Sequence, residues 1–160
     1  MPDTCWLYRL RDNAASFAGG SNTRFTSSNI CDYIAFDDNT KTLFLWELKS
    51  TQGTSLSFWR EDFEVKGKHQ TFMIKKNQIL GLKEASQHML VGGFLINFRN
   101  ENNDTFFILI DDFLDMTNEL NKKSFNMDDL KANNAIPVYS SKARTRYTYN
   151  LGKLIKETHL

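Results

Sequence analysis

The stretch CDYIAFDDNTKTLFLWELK, residues 31–49, decides the fold. Residues 30–36 and 42–48 are rich in β-branched, aliphatic and aromatic side chains, and a polar segment separates them. That pattern reads as a β-hairpin. With residues 38–41 as a four-residue loop, Asp37 pairs with Thr42 and Asp32 falls opposite Glu47. Side chains alternate along a strand, so Glu47 and Lys49 share a face, and Asp32 joins them from the neighbouring strand.

Two carboxylates about 5 Å apart on adjacent strands repel each other. The same face carries Ile34, Phe36, Leu43 and Leu45, so part of it is expected to be buried. Burying charge is costly unless it is paired or bound to a metal. A divalent cation between Asp32 and Glu47 resolves the cost, and hard oxygen ligands suit Mg2+ or Mn2+. Lys49 adds a positive charge beside an attacking water or a phosphate. Together these are the parts of a phosphodiester-cleaving apparatus. The plainer alternative is that Glu47 pairs with Lys49 at the rim of a sheet.

The chain has 160 residues, 41% hydrophobic and 13% aromatic, with thirteen Phe. That is enough for one domain with a substantial core. Its net charge of +1 gives no global basic excess, so a nucleic-acid partner requires a local basic face. Cys5 and Cys31 have no metal-site spacing and read as reduced thiols of a cytoplasmic protein. No apolar run approaches the roughly 20 residues that span a bilayer, and the first residues are not a signal peptide.

Outward from the hairpin, residues 6–10 read as a first strand. A polar loop over residues 13–28 follows. Arg9, Arg11 and Arg24, with hydroxyls such as Ser27, are candidates for phosphate contact. Residues 54–75 mix Phe58, Trp59, Phe63 and Phe72 with Arg60, Lys66, Lys68 and His69. They read as an insertion or flap, either gripping DNA or tucked onto the core. Residues 76–90 carry Leu82, Ala85 and Met89 at helical spacing. Gln78 lies one turn earlier on that stripe, facing either the carboxylate cluster or the open backbone groups of the first turn. Gly92 and Gly93 are expected to close this helix. A second hairpin spans residues 94–98 and 105–110. Short helices follow at 111–120 and within 124–133, with Asn126 or Asp128 as the cap of the latter. Residues 138–160 read as a basic tail. Lys142, Arg144 and Arg146 form its most basic patch, and Asn150 caps a final helix. This order implies a mixed α/β sheet with helices on its faces.

Asp32 followed by Glu47-Leu48-Lys49 matches the PD-(D/E)xK nuclease signature, with Cys31 where proline often stands. The segments WLYRLRD (6–12), NICDY (29–33), LKSTQG (48–53), NQI (77–79), GGFLINFR (92–99) and KKSF (122–125) resemble RecU-type Holliday junction resolvases. They are most similar to the shorter versions from phages and mobile elements of low-GC Gram-positive bacteria. The resemblance covers roughly residues 6–137. It implies a single nuclease domain over residues 1–160 with a restriction-endonuclease-like core. It further implies a homodimeric, Mg2+- or Mn2+-dependent endonuclease acting on branched or duplex DNA, in the cytoplasm of a bacterium or encoded by a phage. No organic cofactor and no membrane partner are expected.

On that resemblance Asp32 and Glu47 ligate the metal and the Leu48 carbonyl completes its shell. Lys49 orients or activates the water, Gln78 supports the site from the helix, and Arg9 lies near the DNA backbone. Three departures stand out. Relatives begin with a helix bearing an acidic residue, whereas Met1 lies five residues before Trp6; either the start is truncated or the protein manages without that helix. The stalk that enters the junction in longer relatives is short here. Residues 54–75 exceed the expected link. The alternatives are a non-catalytic or weakly active DNA-binding relative and a restriction-like nuclease with sequence specificity.

Overall fold

The computed structural model describes residues 4–11, 29–66 and 70–158. Its centre is the expected hairpin of β2 (Tyr33–Asp37) and β3 (Thr42–Thr51). The register is the one a four-residue loop dictates: Asp37 pairs with Thr42 and Tyr33 with Trp46. The buried Asp37 fixes the turn, accepting from Thr40 Oγ1 at 2.8 Å. Lys41 closes it at a φ of 55°.

On one side β1 (Cys5–Arg9) pairs antiparallel with β2 and forms the edge of the sheet. On the other, β3 runs parallel to β5 (Val91–Phe98). Parallel neighbours need a crossover, and α1 (Lys76–Gln87) lies within it. The next strand, β6 (Thr105–Leu109), forms a hairpin with β5 and also pairs with the short β8 (Ile136–Pro137). The result is one six-stranded mixed sheet in the order β1-β2-β3-β5-β6-β8.

Both faces of this sheet are covered, which explains why residues 44–47 of β3 are buried without interruption. Leu45 faces a first core with Ile79, Leu82 and Ala85 of α1 and Phe113 and Met116 of α2 (Ile110–Glu119). Phe44 and Trp46 face a second core with Ala35, Phe107, Val138, Leu154 and Ile155. The last two belong to α4 (Leu151–Glu157), where Asn150 Oδ1 accepts from Lys153 N at 3.0 Å as the expected cap. The other expected cap is Asn126, paired reciprocally with Asp129 at the start of α3 (Met127–Ala132).

In three places the structure departs from the sequence reading or decides between its alternatives. The first is the end of α1, which stops at Gln87. Met89, at a φ of 64°, takes the left-handed turn position and is 89% exposed, so it lies off the apolar stripe. Gly92 and Gly93 lie inside β5 instead. A Cβ on Gly93 would stand 2.4 Å from the Ile108 carbonyl oxygen and 2.6 Å from the Phe107 ring, so close packing selects this glycine.

The second is the insertion, which tucks onto the core. Its β4 (Ser55–Ser57) pairs with β7 (Ser124–Asn126), and Leu56, Phe58, Phe63 and Ile74 are buried. Phe58 packs edge-on against Phe113, with ring centroids 6.2 Å apart, and also meets Phe125 at 6.1 Å. The third is the C-terminal segment. It forms a hairpin of β9 (Ser140–Ala143) and β10 (Arg146–Tyr149), followed by α4. Because α4 closes the second core, Leu154→Ala is expected to cost ~2–5 kcal/mol in a urea titration. Met89→Ala at its exposed position is expected to change stability by no more than ~0.5 kcal/mol.

Candidate active site

The site forms where β2 begins and β3 runs on past it, paired only with β5. The ladder ends at the Tyr33–Trp46 pair, and Asp32 N donates to the same Trp46 carbonyl at 3.0 Å, so the expected Asp32–Glu47 strand pair is replaced by an irregular step that still leaves Asp32 near Glu47. Asp32 Oδ2 accepts from Leu48 N at 2.8 Å. A strand residue directs its own N–H and C=O to the same side, so the Leu48 carbonyl also opens toward Asp32. The Glu47 side chain points the other way out of the pleat from Trp46, into the face lined by Leu45 and α1.

Glu47 is 4% exposed. Its Oε1 lies 2.9 Å from Lys49 Nζ and also accepts a hydrogen bond from Gln78 Nε2. Gln78 Oε1 accepts from Lys75 N at 3.0 Å. The two sequence readings of this glutamine therefore hold together: one end caps α1 and the other satisfies the buried carboxylate. Gly81 helps set the height of α1, because a Cβ there would fall 2.4 Å from Ile30 Cγ2. Ile30, two residues before Asp32, thus packs directly against the helix that carries Gln78.

Burial drives the Glu47 carboxyl above the ordinary range; Lys49 opposes this, the nearby Asp32 adds to it and Lys75 moderates it. Cys31 is buried, and burial together with Glu47 and Asp32 pushes its thiol up to about 11. It is a neutral packing group. Among the described residues, Asp32 Oδ1 and Glu47 Oε2 have no hydrogen-bond partner, and no cluster of three or more His, Cys, Asp or Glu side chains is gathered as metal ligands. Two carboxylates and a backbone carbonyl fit Mg2+, which keeps several waters and takes few protein ligands.

The remaining candidates are spread out. Arg9 pairs with Tyr33 and lies on the opposite face of the sheet from Glu47, its guanidinium 6.0 Å from the Tyr33 ring centroid. Arg11 is exposed just beyond β1. Lys142, Arg144 and Arg146 are exposed on the β9–β10 hairpin, whose Tyr149 hydroxyl accepts from Asn103 on the second face. None of these joins the carboxylates. Arg24 and Ser27 lie outside the described residues. A cavity of about 500 Å3, lined by Trp46, Leu48, Lys49, Leu95, Asn97 and Arg99 among others, opens on the second face; it adjoins the site through Leu48 and Lys49 but is lined by neither carboxylate. Sequence reading missed Lys75. Its position before an amphipathic helix hid a charge that acts on Glu47.

No protein-family model matches the chain. It is 36% identical over 127 residues to the SPbeta prophage-derived uncharacterized protein YotM of Bacillus subtilis (strain 168), a match that covers 72% of this chain. The chain spans 60% of that relative's length. A solved structure, the Holliday junction resolvase Hjc of the archaeal hyperthermophile Archaeoglobus fulgidus, overlays with a TM-score of 0.46 at 12% identity. That overlay covers 84% of this chain and 83% of the other.

The upward shift of Glu47 has a consequence for stability. In the folded state it holds its proton more tightly than in the unfolded chain, so its contribution is present at low pH and is lost as pH rises through the folded value. With chelator present, thermal unfolding of the wild type relative to Glu47→Gln is expected to lose ground over the pH range above the ordinary carboxylate value of about 4. A constant difference across that range would contradict the assignment of burial as the dominant influence.

Proposed function

We propose that this chain is a divalent-metal-dependent DNA endonuclease with a restriction-endonuclease-like core, acting on branched DNA as a homodimer. The observation that carries the reading is the burial of Glu47 beside Asp32, Lys49 and Gln78 on one face of the sheet. A carboxylate 4% exposed, near a second carboxylate, is expensive as a purely structural feature. It becomes economical when a cation sits between them.

In this reading Asp32, Glu47 and the Leu48 carbonyl hold Mg2+ or Mn2+. Held there, such a cation would supply a water of lowered pKa and positive charge against the phosphate. Leu48 N keeps the Asp32 carboxylate in place by donating to Oδ2, leaving Oδ1 for ligation. Gln78 fixes the Glu47 rotamer from a helix end that it also caps. Lys49, with a side chain 14% exposed, is held against Glu47 and has further N–H donors for the attacking water or a phosphate oxygen. Lys75 adds positive charge on the same side.

The test is cleavage of a labelled four-way junction and a matched linear duplex, each with Mg2+, Mn2+ or chelator. Metal-dependent cutting is expected, and Asp32→Asn is expected to abolish it while DNA binding persists. Lys49→Ala is expected to slow the wild-type rate by ~10²-fold or more. Cutting of the junction alone supports branch selectivity. Cutting of both makes the protein a broader nuclease, and no cutting of any DNA with either metal removes the enzyme reading.

A further inference from the structure

β1 carries two large aromatic side chains that the site described above does not use. Trp6 and Tyr8 are 57% and 48% exposed, yet their rings stack on each other with centroids 5.6 Å apart and planes 10° apart. They pair with Phe36 and Ile34, which pair in turn with Leu43 and Leu45. Alternation therefore puts both rings on the face of the sheet that holds Glu47. Leu10 N donates to the Asp32 carbonyl at 2.8 Å, so Leu10 lies directly beside Asp32. Tyr8 is two residues from it along the strand, about 7 Å.

We infer that Trp6 and Tyr8 form a stacking platform for unpaired nucleobases next to the scissile phosphate. This deepens the endonuclease reading and rests on it. Exposed parallel rings are a poor use of apolar surface for a lone monomer, whereas any base can stack on them regardless of sequence. The charge at the end of the strand favours a nucleic acid as occupant: Tyr8 lines one cleft together with Leu10 and the exposed Arg11, while Arg9 in the same cleft projects from the other face. Successive nucleotides of a strand rise about 3.4 Å, so the platform lies roughly two nucleotides from the metal-binding carboxylates. A fully paired duplex keeps its bases stacked inside and cannot use the rings. Bases opened at a branch point can. The platform would thus supply a preference for branched or frayed DNA without a long stalk.

The experiment uses the full chain carrying Asp32→Asn, so that binding is read without cleavage. Fluorescence of 2-aminopurine at unpaired positions of a branched substrate is followed together with affinity for that substrate and for a closed duplex. Trp6→Ala and Tyr8→Ala, both at exposed positions, are each expected to weaken branched-substrate binding about tenfold and to remove 2-aminopurine quenching. Duplex affinity is expected to be unchanged, and Trp6→Phe is expected to retain most of the binding. Equal losses on both substrates, or unchanged quenching, overturn the platform while leaving the nuclease reading intact. Loss of self-association on sedimentation with DNA binding unaltered also overturns it, and assigns the rings to contact between copies of this chain. Absence of binding to any DNA by the parent overturns both readings.

Discussion

The structure depends on one electrostatic constraint: Glu47 is a charge placed inside a sheet whose two faces are both covered. β3 pairs antiparallel with β2 up to Trp46 and parallel with β5 from Phe44 to Thr51, so Glu47 sits where one pairing has just ended and the other holds the strand. The carboxylate cannot turn to solvent, so its surroundings have to accommodate it. Lys49 does so from the same strand and Gln78 from the crossover helix. Each of these contacts strengthens in a site of low polarity, and each would leave a costly unpaired group if broken.

Seen this way, much of the fold serves to aim a few atoms. The hairpin loop sets the register that ends at Tyr33–Trp46 and leaves Asp32 beside Glu47. The early end of β2 leaves Leu48 N to bond a side chain where a strand partner would otherwise be, which orients Asp32. Gly81 lets Ile30 approach α1, and the helix end so positioned delivers Gln78. The phenylalanine cluster built from Phe58, Phe113 and Phe125 lies on the same face of the sheet and ties the start of the insertion to α2 and β7. Of the two readings the sequence leaves open for the insertion, the packing of Phe58 favours the one tucked onto the core, beneath the site.

The hairpin, its register and the gathering of Asp32, Glu47, Lys49 and Gln78 were legible because strand alternation and loop length are local rules. The parts that were not legible depend on long-range packing. No local signal says that Leu154 and Ile155 fill a gap against Trp46, since a short helix behind a basic hairpin has the same pattern whether it is docked or solvated. The glycine pair at residues 92–93 resembles a helix stop, and only the neighbouring Phe107 ring and Ile108 carbonyl explain Gly93 inside a strand. Strand alternation puts Arg9, expected to lie near the DNA backbone, on the face opposite Glu47. The same alternation brings Trp6 and Tyr8 to the face of the site.

The central claim is that Asp32 and Glu47 together hold a divalent cation. Electron paramagnetic resonance of Mn2+ tests this most directly, because bound and aqueous Mn2+ give different signals and neither DNA nor turnover is needed. Titration of the wild type is expected to show saturable binding that competes with Mg2+, and both Asp32→Asn and Glu47→Gln are expected to lose it. Saturable binding that survives in both variants, or no binding to the wild type, would contradict the account and leave Glu47 as a buried ion pair with Lys49.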